Sequence, residues 1–197
     1  MNKSPINCEN ADLRGQDLHS HNLAGANLAG ANLAGANVAG VSLAGANLAG
    51  ANLANANFTQ ADFTGAKLQG ANVVHGDLSF ANLTNANITG ADLTNANLAG
   101  AYLTNADLTN TKLIGADIRA FLTNTNLTNA SLNHTNFVYA VLTNANLTKA
   151  NLTKATLTGA NLANATLTGA TLTGADLANA SFCHTTMPNG SRNNSNC

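Results

Sequence analysis

An apolar residue stands at every fifth position from Leu13 to Ile118, and again from Leu122 to Phe182. No secondary structure of ordinary globular proteins has that period. On an α-helix of about 3.6 residues per turn, a five-residue repeat walks its apolar side chains around the axis and leaves no continuous stripe to bury. Antiparallel strands this short, in 35 consecutive units, lack the turn spacing of a sandwich. A coil that turns every five residues satisfies the pattern. Ala stands two positions before most centres, as in Ala26-Asn27-Leu28. Alternation along an extended segment puts that Ala and the Leu on one face, and the residue between them on the other. The two residues after the centre, typically Ala-Gly, Thr-Gly or Thr-Asn, tolerate turns and positive φ.

Such a coil encloses a narrow interior, and the composition suits it. Aromatic residues are 4% of the 197 residues and Trp is absent, so an ordinary core of large side chains is out of reach. Charged residues are 9%, against roughly 25% in typical domains, so polarity comes from Asn, Thr and Ser. Eight Lys and Arg against nine Asp and Glu leave a net charge of -1. That balance offers no basic surface to attract phosphates, and nucleic-acid binding is not expected.

The run Ala91-Asp92-Leu93-Thr94-Asn95 and its counterparts across residues 11–182 resemble the pentapeptide-repeat family, whose unit is Ala-(Asp/Asn)-Leu followed by two further residues. The resemblance implies an all-β fold, a right-handed quadrilateral parallel β-helix with four pentapeptides per coil and no helical domain. With coils stacked roughly 4.8 Å apart, these repeats make about nine coils and a rod on the order of 40 Å long. Its two open edges need covers. Residues 1–10 and 183–197, which hold the only prolines, Pro5 and Pro188, are the expected N- and C-terminal caps. The segment from Thr185 to Ser191 is similar to the closing segment of cyanobacterial and chloroplast members. One register break interrupts the repeat. From Ile118 to Leu122 is four residues rather than five, a bulge in reverse at one corner.

Four faces, A to D, begin at Leu13, Leu18, Leu23 and Leu28 and recur every 20 residues, or 19 across the break. On this map the Asp residues point outward, and those sharing face B lie two or more coils apart. His75 and His134 share a corner about three coils apart, roughly 14 Å, too far for one metal ion. No Ser, Thr or Cys has a His and an acid beside it, so neither catalysis nor a metal, cofactor or small-molecule substrate is expected. The Thr-X-Thr triplets around Leu157, Leu167 and Leu172 fall on different faces and form no flat array. Cys8 takes the place of a further centre at the first coil. Cys183 and Cys197 are the only cysteines near enough to meet, and whether they pair depends on the redox compartment.

One outward feature breaks the pattern. Before the face C centres the ladder reads Asn82, Tyr102, Phe121, Val141, Asn161, and the adjoining corner adds Phe80, Arg119, Val138 and Tyr139. These seven apolar, aromatic and Arg residues either cover the distorted corner or form a protein-binding patch. The expected role is a non-catalytic structural or protein-interaction module, regulatory in character, that binds a protein partner or a second copy of itself through a face. The alternative implied by the resemblance is a DNA-mimicking inhibitor of DNA gyrase. Duplex DNA carries one charge per about 1.7 Å, so mimicry over the rod calls for about two dozen like charges. Nine acids offset by eight bases fall short. No stretch of signal-peptide length and no apolar run of membrane-span length is visible. The chain as given is therefore expected in the cytoplasm, or in the thylakoid lumen or periplasm if a targeting segment has been removed.

Overall fold

The computed structural model describes residues 6–19 and 21–197. The part of the expected N-terminal cap in residues 1–5 lies outside the described residues. Apart from Asn22, the residue before each centre forms a parallel bridge with its counterpart one coil on, giving four ladders. One of them runs Asn52, Asn72, Asp92, Lys112. The step is 20 residues until the register break and 19 across it, as in Tyr102 to Phe121 and Asp117 to Asn136. Beyond it the step of 20 resumes at Phe121 and Val141.

A single repeat shows why the sequence folds this way. In Ala96-Asn97-Leu98-Ala99-Gly100 every N–H finds an acceptor. Ala96 N–H closes the preceding corner onto the Leu93 carbonyl at 3.0 Å. Asn97 N–H reaches back one coil to Gly76 O at 3.0 Å, while Leu98 N–H reaches forward to Asp117 O at 2.8 Å. Ala99 N–H donates to the Asn97 side-chain oxygen at 3.1 Å. Gly100 N–H reaches the next corner, Arg119 O, at 2.8 Å. The Asn or Asp before each centre is therefore more than a solvated group, because its Oδ1 takes the one N–H that the ladders leave over.

The last residue of each described corner is left-handed, with φ of 57° at Asn95 and 70° at Gly100. This explains the Gly and Asn at that position, since both tolerate φ above zero. The short corner lacks that residue. Gly115 and Asn124 are left-handed on either side of it and none lies between. The ladders run past undisturbed, with Phe121 N–H to Ala101 O at 3.0 Å and Leu122 N–H to Val141 O at 2.7 Å.

Centres and their preceding Ala residues form one continuous core in which Leu28 through Leu167 are buried. Phe58 and Phe63, on adjacent faces, meet edge to face at 5.2 Å. Where Thr replaces the inward Ala, its hydroxyl is satisfied: Thr125 donates to Leu103 O and Thr135 to Leu113 O, each at 2.8 Å. Past Phe182 the chain makes a small antiparallel hairpin, β1 (Thr185–Thr186) with β2 (Arg192–Asn193). Phe182 is buried and Met187 half-buried against the core, whereas Leu172 and Leu177 of the last coil stay half-buried. The hairpin thus covers part of that end. Among the described residues there is no helix, and none long and apolar enough to cross a membrane.

Two outcomes follow. Leu93→Asp places a charge in a dry stack with no partner, at a cost of several kcal/mol (order of magnitude). It should abolish the cooperative thermal melt, and a wild-type melt would show that the side chain does not point inward. The second concerns pH. The pKa values of Asp12, Asp17, Asp92 and Asp176 are all lowered in the fold. The leading causes at the exposed three are the Arg14 guanidinium, the His19 ring and the Ala178 N–H respectively. At Asp92 burial opposes ionisation, but the hydroxyl and N–H of Thr94 together with Lys112 outweigh it. A depressed carboxylate adds stability above its unfolded pKa, about 3.9, and loses it as pH falls through the lower folded value. The melt should hold steady from neutrality to about pH 4 and decline below that; a decline that begins well above pH 4 would show that these carboxylates are not its cause.

Candidate protein-binding surface

Tyr102, Phe121 and Val141 stand in three consecutive coils at the position where an Asn or Asp normally accepts the corner N–H. Here that acceptor is missing. Among the described residues no protein group takes the N–H of Thr104, Thr123 or Thr143, whereas Thr84 N–H in the same column is held by Asn82 at 3.1 Å. The aromatic column therefore exposes apolar surface and frees a row of three donors beside it. Tyr102 and Phe121 stack at 5.1 Å with their planes 12° apart, and remain 49% and 44% exposed. Phe121 packs on its ladder neighbour Tyr102.

The adjoining corner carries the other named residues. Phe80 (φ 58°) and Tyr139 (φ 56°) occupy the left-handed position, where bulky side chains are genuine outliers. The strain costs on the order of 1–2 kcal/mol for each. Both are exposed, Phe80 at 60% and Tyr139 at 76%. Each ring lies over the glycine one coil on. A Cβ at Gly100 would come within 2.6 Å of the Phe80 ring, and one at Gly159 within 2.5 Å of the Tyr139 ring. Phe80 and Tyr139 are three coils apart, roughly 14 Å, and do not form one contact. Arg119 lies between them, paired with Asp117 at 2.7 Å, and that carboxylate pushes the guanidinium pKa up. Val138 is half-buried with its N–H on Asn136 Oδ1, and Val141 is half-buried. The seven residues thus form a stacked column on face C flanked by two separate rings.

Ile114, exposed at another corner, was missed in the sequence. It sits in a Thr-rich turn position, where a departure in one coil draws no attention. At the C-terminal end Cys183 and Cys197 are disulfide-bonded with Cα atoms 4.6 Å apart, and Cys8 is free and half-buried. A ring nitrogen of His184 and the two sulfurs all lie within 4.8 Å of one another. The sequence placed the cysteines in one segment but gave His184 no role, because its proximity to Cys197 depends on the hairpin.

Tyr139→Asn removes a strained residue of which little is buried. Its melting temperature should equal or exceed that of the wild type. A clear drop would assign the ring a covering role.

The family described as pentapeptide repeats matches residues 6–43, 42–79, 81–119, 120–159 and 150–189. One boundary falls in the short corner. Among solved structures, HetL, a pentapeptide repeat protein involved in heterocyst differentiation regulation from the cyanobacterium Nostoc sp. strain PCC 7120, is 32% identical. That match covers 96% of this chain and 92% of HetL, with a TM-score of 0.41. A pentapeptide repeat protein from the Arabidopsis thaliana thylakoid lumen is also 32% identical, covering 57% of this chain and 69% of that one at a TM-score of 0.40. QnrB1, a plasmid-mediated fluoroquinolone resistance protein, is 14% identical over 88% of this chain and 80% of its own, with a TM-score of 0.40. No curated protein matches the sequence significantly. With its repeats matched along nearly the whole length, the chain belongs to the pentapeptide-repeat family, whose members are right-handed β-helices and for which no catalytic activity is indicated.

Proposed function

We propose that the chain is a non-catalytic interaction module that docks a protein partner on face C and its adjoining corner. The rod in this reading is quadrilateral in section with about nine coils. Residues 11–182 carry the coils and 183–197 serve as the C-terminal cap, whereas residues 7–10 of the expected N-terminal cap already pair as a further repeat, with Asn7 bridging Asn27 and Cys8 N–H on Asn27 O. The observation behind it is the exposed Tyr102–Phe121 stack. At that ladder position an Asn or Asp would close the corner hydrogen bond, so the aromatics forgo local stability. Aromatic residues beside an Arg are types enriched at interface hot spots. The partner suited to this surface presents apolar side chains flanked by carbonyl or carboxylate acceptors for the N–H groups of Thr104, Thr123 and Thr143. Sequence kinship with HetL supports a regulatory role. The net charge of -1 weighs against a DNA mimic directed at gyrase.

The test is the double variant Tyr102→Ser with Tyr139→Ser, since neither residue lies in the short corner. Affinity capture and sedimentation are run on wild type and variant side by side. Loss of a captured protein or of self-association, with an unchanged melt, supports docking. A lowered melt with binding intact leaves only a covering role. Inhibition of gyrase supercoiling equal in both proteins would favour the DNA mimic.

A further inference from the structure

We propose that the C-terminal clasp is a cation site in its reduced form, in which the Cys183 and Cys197 thiolates and the His184 imidazole bind one soft divalent ion of the zinc class. The proposal stands apart from the docking surface on face C. The three ligand atoms already lie within 4.8 Å of one another. Tetrahedral zinc has Zn–S bonds of about 2.3 Å and Zn–N bonds of about 2.0 Å, which sets ligand atoms roughly 3.5–4 Å apart. Cleaving the disulfide lets the sulfurs separate to that span, and two thiolates with one imidazole select a soft ion over magnesium or calcium.

The ligands stay together without the disulfide because other bonds hold the end of the chain. Phe182 N–H donates to Ser195 O at 3.2 Å, and Asn196 Nδ2 donates to Ala180 O at 3.1 Å. The histidine is oriented as well. Its Nδ1 lies 3.0 Å from Asn194 Oδ1, and in this proposal Nδ1 donates to that oxygen while Nε2 serves as the ligand atom. Hydrogen-bonding the second ring nitrogen to a side-chain or backbone oxygen is how metal-binding histidines are commonly fixed. The chemistry balances. An external dithiol gives two electrons and two protons to the Cys183–Cys197 bond and becomes a disulfide itself. Binding of M²⁺ then displaces the two thiol protons, leaving a site of two thiolates and one dication with no net charge. The end of the rod is closed by a covalent bond under oxidising conditions and by a cation under reducing ones.

The experiment titrates the full-length protein, reduced with a phosphine, with Co²⁺ as a spectroscopic probe and then Zn²⁺ against a chromophoric chelator. We expect one ion per chain, a thiolate-to-cobalt charge-transfer band, and no binding by the oxidised protein. Cys8→Ser should bind like wild type. Cys197→Ser should lose the band, and Asn194→Ala, which alters only the positioning of His184, should weaken binding about tenfold. Absence of stoichiometric binding by the reduced wild type overturns the site. So does His184→Ala binding as tightly as wild type, with its melt unchanged.

Discussion

Everything in this molecule depends on a backbone constraint: a chain that turns every five residues must find an acceptor for each N–H without the help of long strands. Two N–H groups per repeat go to the coils before and after, one closes the corner, and one links successive corners. The fifth is left to the side chain before the centre. A side-chain carbonyl on a short stem meets that need, which is why Asn and Asp fill the position and why amide ladders such as Asn52 to Asn32, at 3.1 Å, run along the faces. The corner itself requires a left-handed residue, which confines the last position mostly to Gly and Asn. Polarity, turn chemistry and burial thus arise from one geometric demand.

Departures from that demand carry information because the repeat is so regular. The one-residue deletion removes the left-handed position of a single corner and leaves the ladders intact, since pairing depends on the residue before the centre and not on the corner between. Placing Tyr102, Phe121 and Val141 on the ladder has the opposite effect. The backbone path is unchanged while three corner N–H groups lose their acceptor. Phe80 and Tyr139 add strain at the corner without becoming buried. Four of these five side chains, all but Val141, stay exposed in the fold.

The ends obey different rules from the middle. Stacking rewards every coil that has neighbours on both sides, so the half-buried Leu172 and Leu177 mark where that reward stops. The hairpin β1–β2 replaces part of a further coil, with Gly169 N–H still bonding forward to Pro188 O at 2.9 Å. Cys183, His184 and Cys197 gather where the hairpin returns to the stack, and among the described residues they are the one group of three or more potential metal ligands brought together.

The five-residue period by itself determined the coil, the inward set from Leu23 to Leu167, the four-face map and the step of 19 across the short corner, because pairing in a solenoid is dictated by position in the repeat. It also located the apolar column, since neighbours on a face are one coil apart in sequence. Other features required coordinates. That Phe121 stacks on Tyr102 is a matter of side-chain rotamers, which the repeat does not encode. That the rings of Phe80 and Tyr139 lie over Gly100 and Gly159 of the next coil is likewise decided by packing. His184 met Cys197 only through the return of the hairpin, an aperiodic segment whose path is decided by tertiary hydrogen bonds to Ala180 and Phe182. Periodic sequence encodes periodic structure locally, and where the period ends only the folded chain decides what lies beside what.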